Sequence, residues 1–142
     1  MRRVIRDQQG FTLVELLVVI LIIGILAEIA IPSFIGQTSK ANDAAAKSAV
    51  TSARIALETY RIDHGTYCGA APAALAAIDP TLLQANRLTI RSCRRGNTER
   101  YTLTVTSRSS VGTVYSVTVN QGTSVRRCST PGQAGCPSSG TW

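Results

Sequence analysis

Residues 10–31 read GFTLVELLVVILIIGILAEIAI, and this stretch decides the architecture. From Leu16 to Ala27, twelve successive positions carry neither a charge nor a polar side chain. The 21 residues from Phe11 to Ile31, as a helix rising about 1.5 Å per residue, cover roughly 30 Å, the hydrocarbon thickness of a bilayer. The stretch is long enough to cross a membrane.

What lies on either side sets its orientation. Residues 1–10 (MRRVIRDQQG) are basic and polar, and the apolar run begins only after Gly10. An ordinary secretory signal keeps its apolar region ahead of the cut and discards it, whereas a cut after Gly10 retains it. Arg2, Arg3 and Arg6 precede the run and no Lys or Arg follows before Lys40, so the N-terminus is expected in the cytoplasm and the C-terminal part outside.

Three features inside the segment stand out. Glu15 is ionisable, which costs about 2.5 to 3.5 kcal/mol at a bilayer centre and less near its edge, so it is expected to have a partner. Glu28 is a second acid; it snorkels to the outer interface or, in a packed core, needs a cation or a proton. Gly24, Pro32 and Gly36 weaken the helix, since proline removes a backbone donor and clashes with the preceding turn; a kink or locally extended stretch is expected over 24–36.

After Pro32 the pattern becomes amphipathic. Ala46, Ala49, Val50, Ala53, Leu57 and Tyr60 recur at helical spacing, with Lys47, Arg54, Glu58 and Arg61 between them. The helix is expected to stop near His64-Gly65, because glycine accepts the positive φ of a helix end. Residues 66–86 read as a loop with a turn or two of helix from Ala73 to Ile78. Segments 87–93, 99–107 and 113–119 are rich in β-branched residues, with a possible fourth at 123–128. Turns are expected at Arg95-Gly96-Asn97, Val111-Gly112 and Asn120-Gln121-Gly122, giving an antiparallel meander with one face on the helix. The fold class is α+β: a long N-terminal helix, transmembrane in its first half and amphipathic in its second, packed on three or four strands.

The 142 residues leave room for one modest domain. Cys68, Cys93, Cys128 and Cys136 include no Cys-x-x-Cys pair and stand with a single histidine, which fits two disulfides made outside the cytoplasm better than a zinc site. Three pairings are possible. Cys68 with Cys93 would tie the loop after the helix to an early strand, and Cys128 with Cys136 would close a short loop in the Gly-, Pro- and Ser-rich stretch 129–142. Net charge is +7. Residues 65–142 hold Arg87, Arg91, Arg94, Arg95, Arg100, Arg108, Arg126 and Arg127 against Asp79 and Glu99. A phosphate backbone is one partner for such a surface; solvent or inter-subunit salt bridges are the other reading, and no known nucleic-acid motif is present. His64 suits a helix end, where a cation is favoured. No nucleophile with a companion base, nucleotide-binding loop or metal-ligand set is recognisable, so neither an enzyme nor a cofactor is expected.

Gly10-Phe11-Thr12-Leu13-Val14-Glu15-Leu16 resembles the processing and assembly motif of type IV pilins and type II secretion pseudopilins: basic leader, Gly before the cut, Phe after it, Glu at the fifth retained residue, then an apolar run. The resemblance implies that a prepilin peptidase cleaves after Gly10 and N-methylates Phe11. It implies that Glu15 pairs with the new amine of another copy, worth roughly 4 kcal/mol at 4 Å and an effective dielectric of 20, and that the region around Gly24, Pro32 and Gly36 melts as the subunit leaves the bilayer. It further implies a homo-oligomeric helical filament, an inner-membrane assembly platform, and transfer from a single-pass inner-membrane state to the cell surface. Residues 1–10 are then leader, 11–36 transmembrane and filament-core helix, 37–64 amphipathic helix of the head, and 65–142 loop, sheet and disulfide-closed C-terminal region. In several pilins a C-terminal disulfide bounds a surface loop, a positional likeness to Cys128 and Cys136. Related pseudopilins bind calcium near the position of Asp79, but one carboxylate is too few for such a site.

The motif leaves a major-type pilin for adhesion, motility or DNA uptake and a secretion pseudopilin both open; YRIDHGTY (60–67) also resembles the latter. An exported soluble binding protein cut near Ala27 or Ala30 is a further alternative. The expected mature N-terminus is N-methylated Phe11, read by intact mass; a chain starting near residue 28 or 31 would contradict the retained-helix reading.

Overall fold

The computed structural model describes residues 10–93 and 99–142. Helix α1 spans Leu13–His64, followed by α2 (Pro72–Ile78), a 3-10 helix (Pro80–Gln84) and strands β1 (Thr89–Ser92), β2 (Arg100–Thr106), β3 (Val114–Asn120) and β4 (Thr123–Cys128). The chain divides into two compact units, with the boundary between Ile35 and Gly36.

The first unit holds the start of α1. Its large apolar side chains are exposed, from 46% for Val18 to 80% for Phe11, and mean hydropathy reaches 2.8 over an 18-residue window. Surface of this kind is stable only against lipid or other protein. Helix α1 runs on through Gly24, Pro32 and Gly36, so of the kink or locally extended stretch expected there the extended form is not present. Proline lacks one donor, but neighbouring turns carry the helix past it.

The second unit is the head. Its sheet is a four-stranded antiparallel meander in the order β1-β2-β3-β4, so the fourth strand is present. The β3–β4 turn is a two-residue loop in which Gln121 (φ 48°) and Gly122 (φ 80°) both adopt positive φ, the geometry that matches the twist of a hairpin. The turn expected at 95–97 lies outside the described residues. On one sheet face Tyr101, Leu103 and Val105 of β2 and Tyr115, Val117 and Val119 of β3 are buried. They meet Ala46, Val50, Ala53, Ala56 and Leu57 of α1 in one hydrophobic core. Small alanines on the helix let large tyrosines on the sheet fill the space between. Tyr60, expected in this stripe, is only half-buried and stacks on His64, with ring centroids 4.0 Å apart.

Helix α1 ends where expected, with Gly65 at φ 71°. The stretch 66–86 is more ordered than expected. Pro72 and Pro80 open α2 and the 3-10 helix, and Leu75 and Leu82 from these turns enter the core. Cys68 is bonded to Cys93 and Cys128 to Cys136, with Cα–Cα distances of 5.3 and 5.8 Å.

Leu57 is fully buried at the centre of this packing. Leu57→Ala is expected to destabilise the head by about 2 to 5 kcal/mol, through the loss of buried methyl groups and the cavity they leave, measured by denaturation of the detergent-solubilised chain; a loss below about 1 kcal/mol would contradict the packing described.

Candidate functional site

The first candidate site is the start of α1. Thr12 Oγ1 accepts a hydrogen bond from the Glu15 amide at 3.2 Å. In return Glu15 Oε2 accepts from the Thr12 amide at 3.2 Å and from the Thr12 hydroxyl at 3.0 Å. This reciprocal pair is a capping box, which satisfies amides that a helix start leaves unpaired. Glu15 therefore has an intrachain task, and its carboxylate sits against the residue that follows Phe11. Glu28 is exposed on the same helix. Gly10 and Phe11, the expected cleavage and methylation positions, lie exposed just ahead of the helix.

The head holds two polar knots, both missed by the sequence reading. At the end of α1, Glu58 accepts from the Tyr67 hydroxyl at 2.7 Å and the Tyr101 hydroxyl at 2.9 Å, with Arg61 at 4.0 Å. Tyr67 lies across Tyr101, ring centroids 4.8 Å apart. One carboxylate thus joins the helix, the loop after it and β2. Burial, with the Glu58 carboxylate as acceptor, raises the pKa of both hydroxyls.

Earlier on the helix, Asp43 is fully buried, and its Oδ2 accepts from the Gly135 amide at 2.7 Å. One turn on, Lys47 Nζ donates to the Gly135 carbonyl at 2.7 Å. The helix therefore grips both ends of one residue in the disulfide-closed loop. A side chain at Gly135 has no room, since a Cβ would lie 2.9 Å from Asp43 Cβ and 3.2 Å from the Tyr115 hydroxyl.

Asp43 Oδ1, Ser109 Oγ and the Tyr115 hydroxyl are buried and lack hydrogen-bond geometry to any described residue. Burial alone would raise the Asp43 pKa, but the dipoles of Ser107, Gly135, Ser109 and Tyr115 around it outweigh burial and hold it below the usual value. Tyr115 is pushed up to about 12 by burial and the Asp43 charge.

The C-terminal stretch is fastened by more than its disulfide. Trp142 meets Tyr115 edge to face at 5.7 Å, donates from Nε1 to the Arg127 carbonyl at 3.0 Å, and lies under Arg126 at 5.1 Å. Asp79 is occupied as a cap: its Oδ1 accepts from the Thr81 amide at 3.0 Å and the Thr81 hydroxyl at 2.6 Å. His64 Nδ1 lies 3.0 Å from the Tyr60 carbonyl and donates to it. Among the described residues no group of three His, Cys, Asp or Glu side chains is arranged to hold a metal. Arg94 and Arg95, counted in the basic surface, lie outside the described residues, as does the leader before Gly10.

Two opposite pH limits follow for the head. Asp43, with its lowered pKa, adds stability above the ordinary carboxyl value near 3.8 that is lost as pH falls below it. Tyr101, with its raised pKa, adds stability below the ordinary phenol value of 10.0 that is lost as pH rises beyond it. Thermal melting of the solubilised chain is expected to drop below about pH 4 and above about pH 10. Asp43→Asn should soften the acid limb and Tyr101→Phe the alkaline limb; limbs unmoved by either change would contradict the assignment.

Residues 5–27 match the family profile of the prokaryotic N-terminal methylation motif. Residues 32–131 match that of the type IV minor pilin ComP, DNA uptake sequence receptor. The type II secretion system core protein G of Aeromonas hydrophila is 42% identical over 62 residues, covering 44% of this chain and 43% of that protein. The protein of the same description in Escherichia coli strain K12 is 42% identical over 60 residues, covering 42% and 41%. The type IV wide pilus major component PilA4 of Thermus thermophilus is 42% identical over 62 residues, covering 44% and 47%. The matched part thus spans less than half the length of these curated relatives, and no solved structure matches the chain. With one profile covering most of the head and the methylation motif spanning residues 5–27, the chain belongs to the family of the type IV minor pilin ComP, DNA uptake sequence receptor.

Proposed function

We propose that this chain is a non-enzymatic structural subunit of a type IV pilus-like surface filament, entering it as a minor rather than a major component and presenting a basic head to DNA. The observation that carries the filament role is the exposed apolar helix with a single carboxylate in its first turn, four residues beyond Phe11. Prepilin peptidase cleavage after Gly10 would free the Phe11 amine, and N-methylation would leave it cationic. That cation would draw Glu15 of a neighbouring copy out of its capping box, exchanging two exposed neutral donors for a charge pair shielded from water. Thr12 keeps Glu15 engaged until then, so a lone subunit does not carry a free acid into the bilayer edge.

Gly24, Pro32 and Gly36 would act after docking. The helix is intact in the single chain, and these are its weakest positions when the segment moves from lipid to protein surroundings. The DNA part of the proposal rests on the surplus of arginine in the head together with the family's description.

A second reading, a pseudopilin of a type II secretion system, is favoured by the likeness to the core protein G relatives. The two differ in where the filament lies. Glu15→Ala is expected to leave cleavage at Gly10 intact while removing the chain from sheared surface filaments; unchanged incorporation would sink the ion-pair role, and absence of the wild-type chain from surface filaments would favour the pseudopilin.

A further inference from the structure

Most charges on α1 are engaged within the chain. Glu15 is held by Thr12, Asp43 and Lys47 by Gly135, and Glu58 by Tyr67 and Tyr101 with Arg61 beside it. Arg54 acts on the same Tyr101 hydroxyl. His64 bonds the Tyr60 carbonyl, and Asp63 lies exposed at the end of the helix, where solvent serves it. One acid and one cation on α1 are left without a partner among the described residues. They are Glu28 and Lys40, both exposed.

The surroundings of Glu28 make that vacancy costly. The acid stands at the end of a shallow groove whose other lining residues are Leu17, Ile20, Leu21, Gly24 and Ile25. A Cβ built on Gly24 would meet nothing within 4 Å, so a neighbour has room to approach the helix backbone one turn before the carboxylate. In a bilayer, an acid near the end of the apolar run leans out to the headgroups. Packed against protein it loses that water, and an unpaired carboxylate there is strongly unfavourable.

Lys40 is the first Lys or Arg after the apolar run and lies twelve residues beyond Glu28. Its four-carbon stem can lie along an apolar surface while the ammonium reaches past it. Side chains of a helix lean toward its N-terminus, so a lysine on a parallel neighbour reaches back toward the level of an earlier residue.

We propose that Glu28 of one copy pairs with Lys40 of a second copy in the filament. The inference rests on the filament reading above and adds a contact which that reading does not use, since it joins Glu15 to the Phe11 amine. Parallel packing sets helix against helix, and Lys40 is the cation on that helix with no task in its own chain. Each copy turns Glu28 toward one neighbour and Lys40 toward another. The contact is therefore staggered and head-to-tail, the kind that repeats along an open filament instead of closing as a symmetric pair. A minor component joined in this way enters the filament as adjacent copies, not singly.

The test uses two differently tagged forms of the full chain, E28C and K40C, produced in the same cells, with surface filaments sheared off and mildly oxidised. A covalent dimer carrying both tags is expected, and either form produced alone should give none. Charge reversal reads the same contact without cysteine. E28K and K40E are each expected to lower incorporation about tenfold, by setting like charges against each other, with the amount of cleaved chain in the membrane unchanged. E28K/K40E should return to within about threefold of wild type, a non-additivity that independent sites do not show. A double reversal no better than the single ones, or filaments holding both cysteine forms without the mixed dimer, would overturn the pairing and leave the filament reading standing. Dimers formed by E28C alone would replace it with a symmetric contact. Absence of the wild-type chain from sheared filaments would remove the filament reading itself.

Discussion

The large apolar side chains from Phe11 to Phe34 stand exposed, and the requirement to cover them governs what the molecule can do. In lipid they are stable. Moving them from lipid to other protein gains little from the hydrophobic effect, because acyl chains are as apolar as leucine, so association must come from packing and from polar pairs. That is why one carboxylate in the first helical turn matters so much. Glu15 is stable at the start of a lone helix because Thr12 caps it, and in the proposed assembly the exchange of that cap for a cation would give both an energy and an axial register.

The head solves a different problem, that of holding a thin sheet to one helix with few large side chains on the helix side. Ala46, Ala53 and Ala56 allow close approach, and Tyr101 and Tyr115 fill the gap from the sheet. Two acids on the same helix then fix what the alanines leave loose. Glu58 collects two tyrosine hydroxyls beside the Cys68–Cys93 bridge, and Asp43 with Lys47 grips Gly135 inside the Cys128–Cys136 loop. Each disulfide region is thus also tied to the helix by hydrogen bonds.

The outline of this fold was legible in the sequence because its signals are strong and local: a long apolar run, a helical stripe ending at glycine, and alternating strands with short turns. The fourth strand could be read only as possible, since five of its six residues are exposed and an edge strand carries little apolar alternation. The 3-10 helix was hidden because a single turn opened by proline has no periodicity to find. Tyr60 looked like core from its spacing, but the stripe reaches the helix end, where His64 rather than the sheet covers it. The capping box was present as Thr12-x-x-Glu15, and the attention drawn by the charge of Glu15 obscured its local task. The knots at Asp43 and Glu58 join residues 92 and 43 positions apart, beyond the reach of any local pattern.

The most direct measurement of the central claim is a cryo-EM reconstruction of the assembled filament at a resolution that shows side chains. The account predicts the Phe11 amine of one copy within about 4 Å of Glu15 of another, with the Thr12 bonds to Glu15 broken. Glu15 still capped by its own Thr12, with the Phe11 amine facing solvent or lipid, would contradict it.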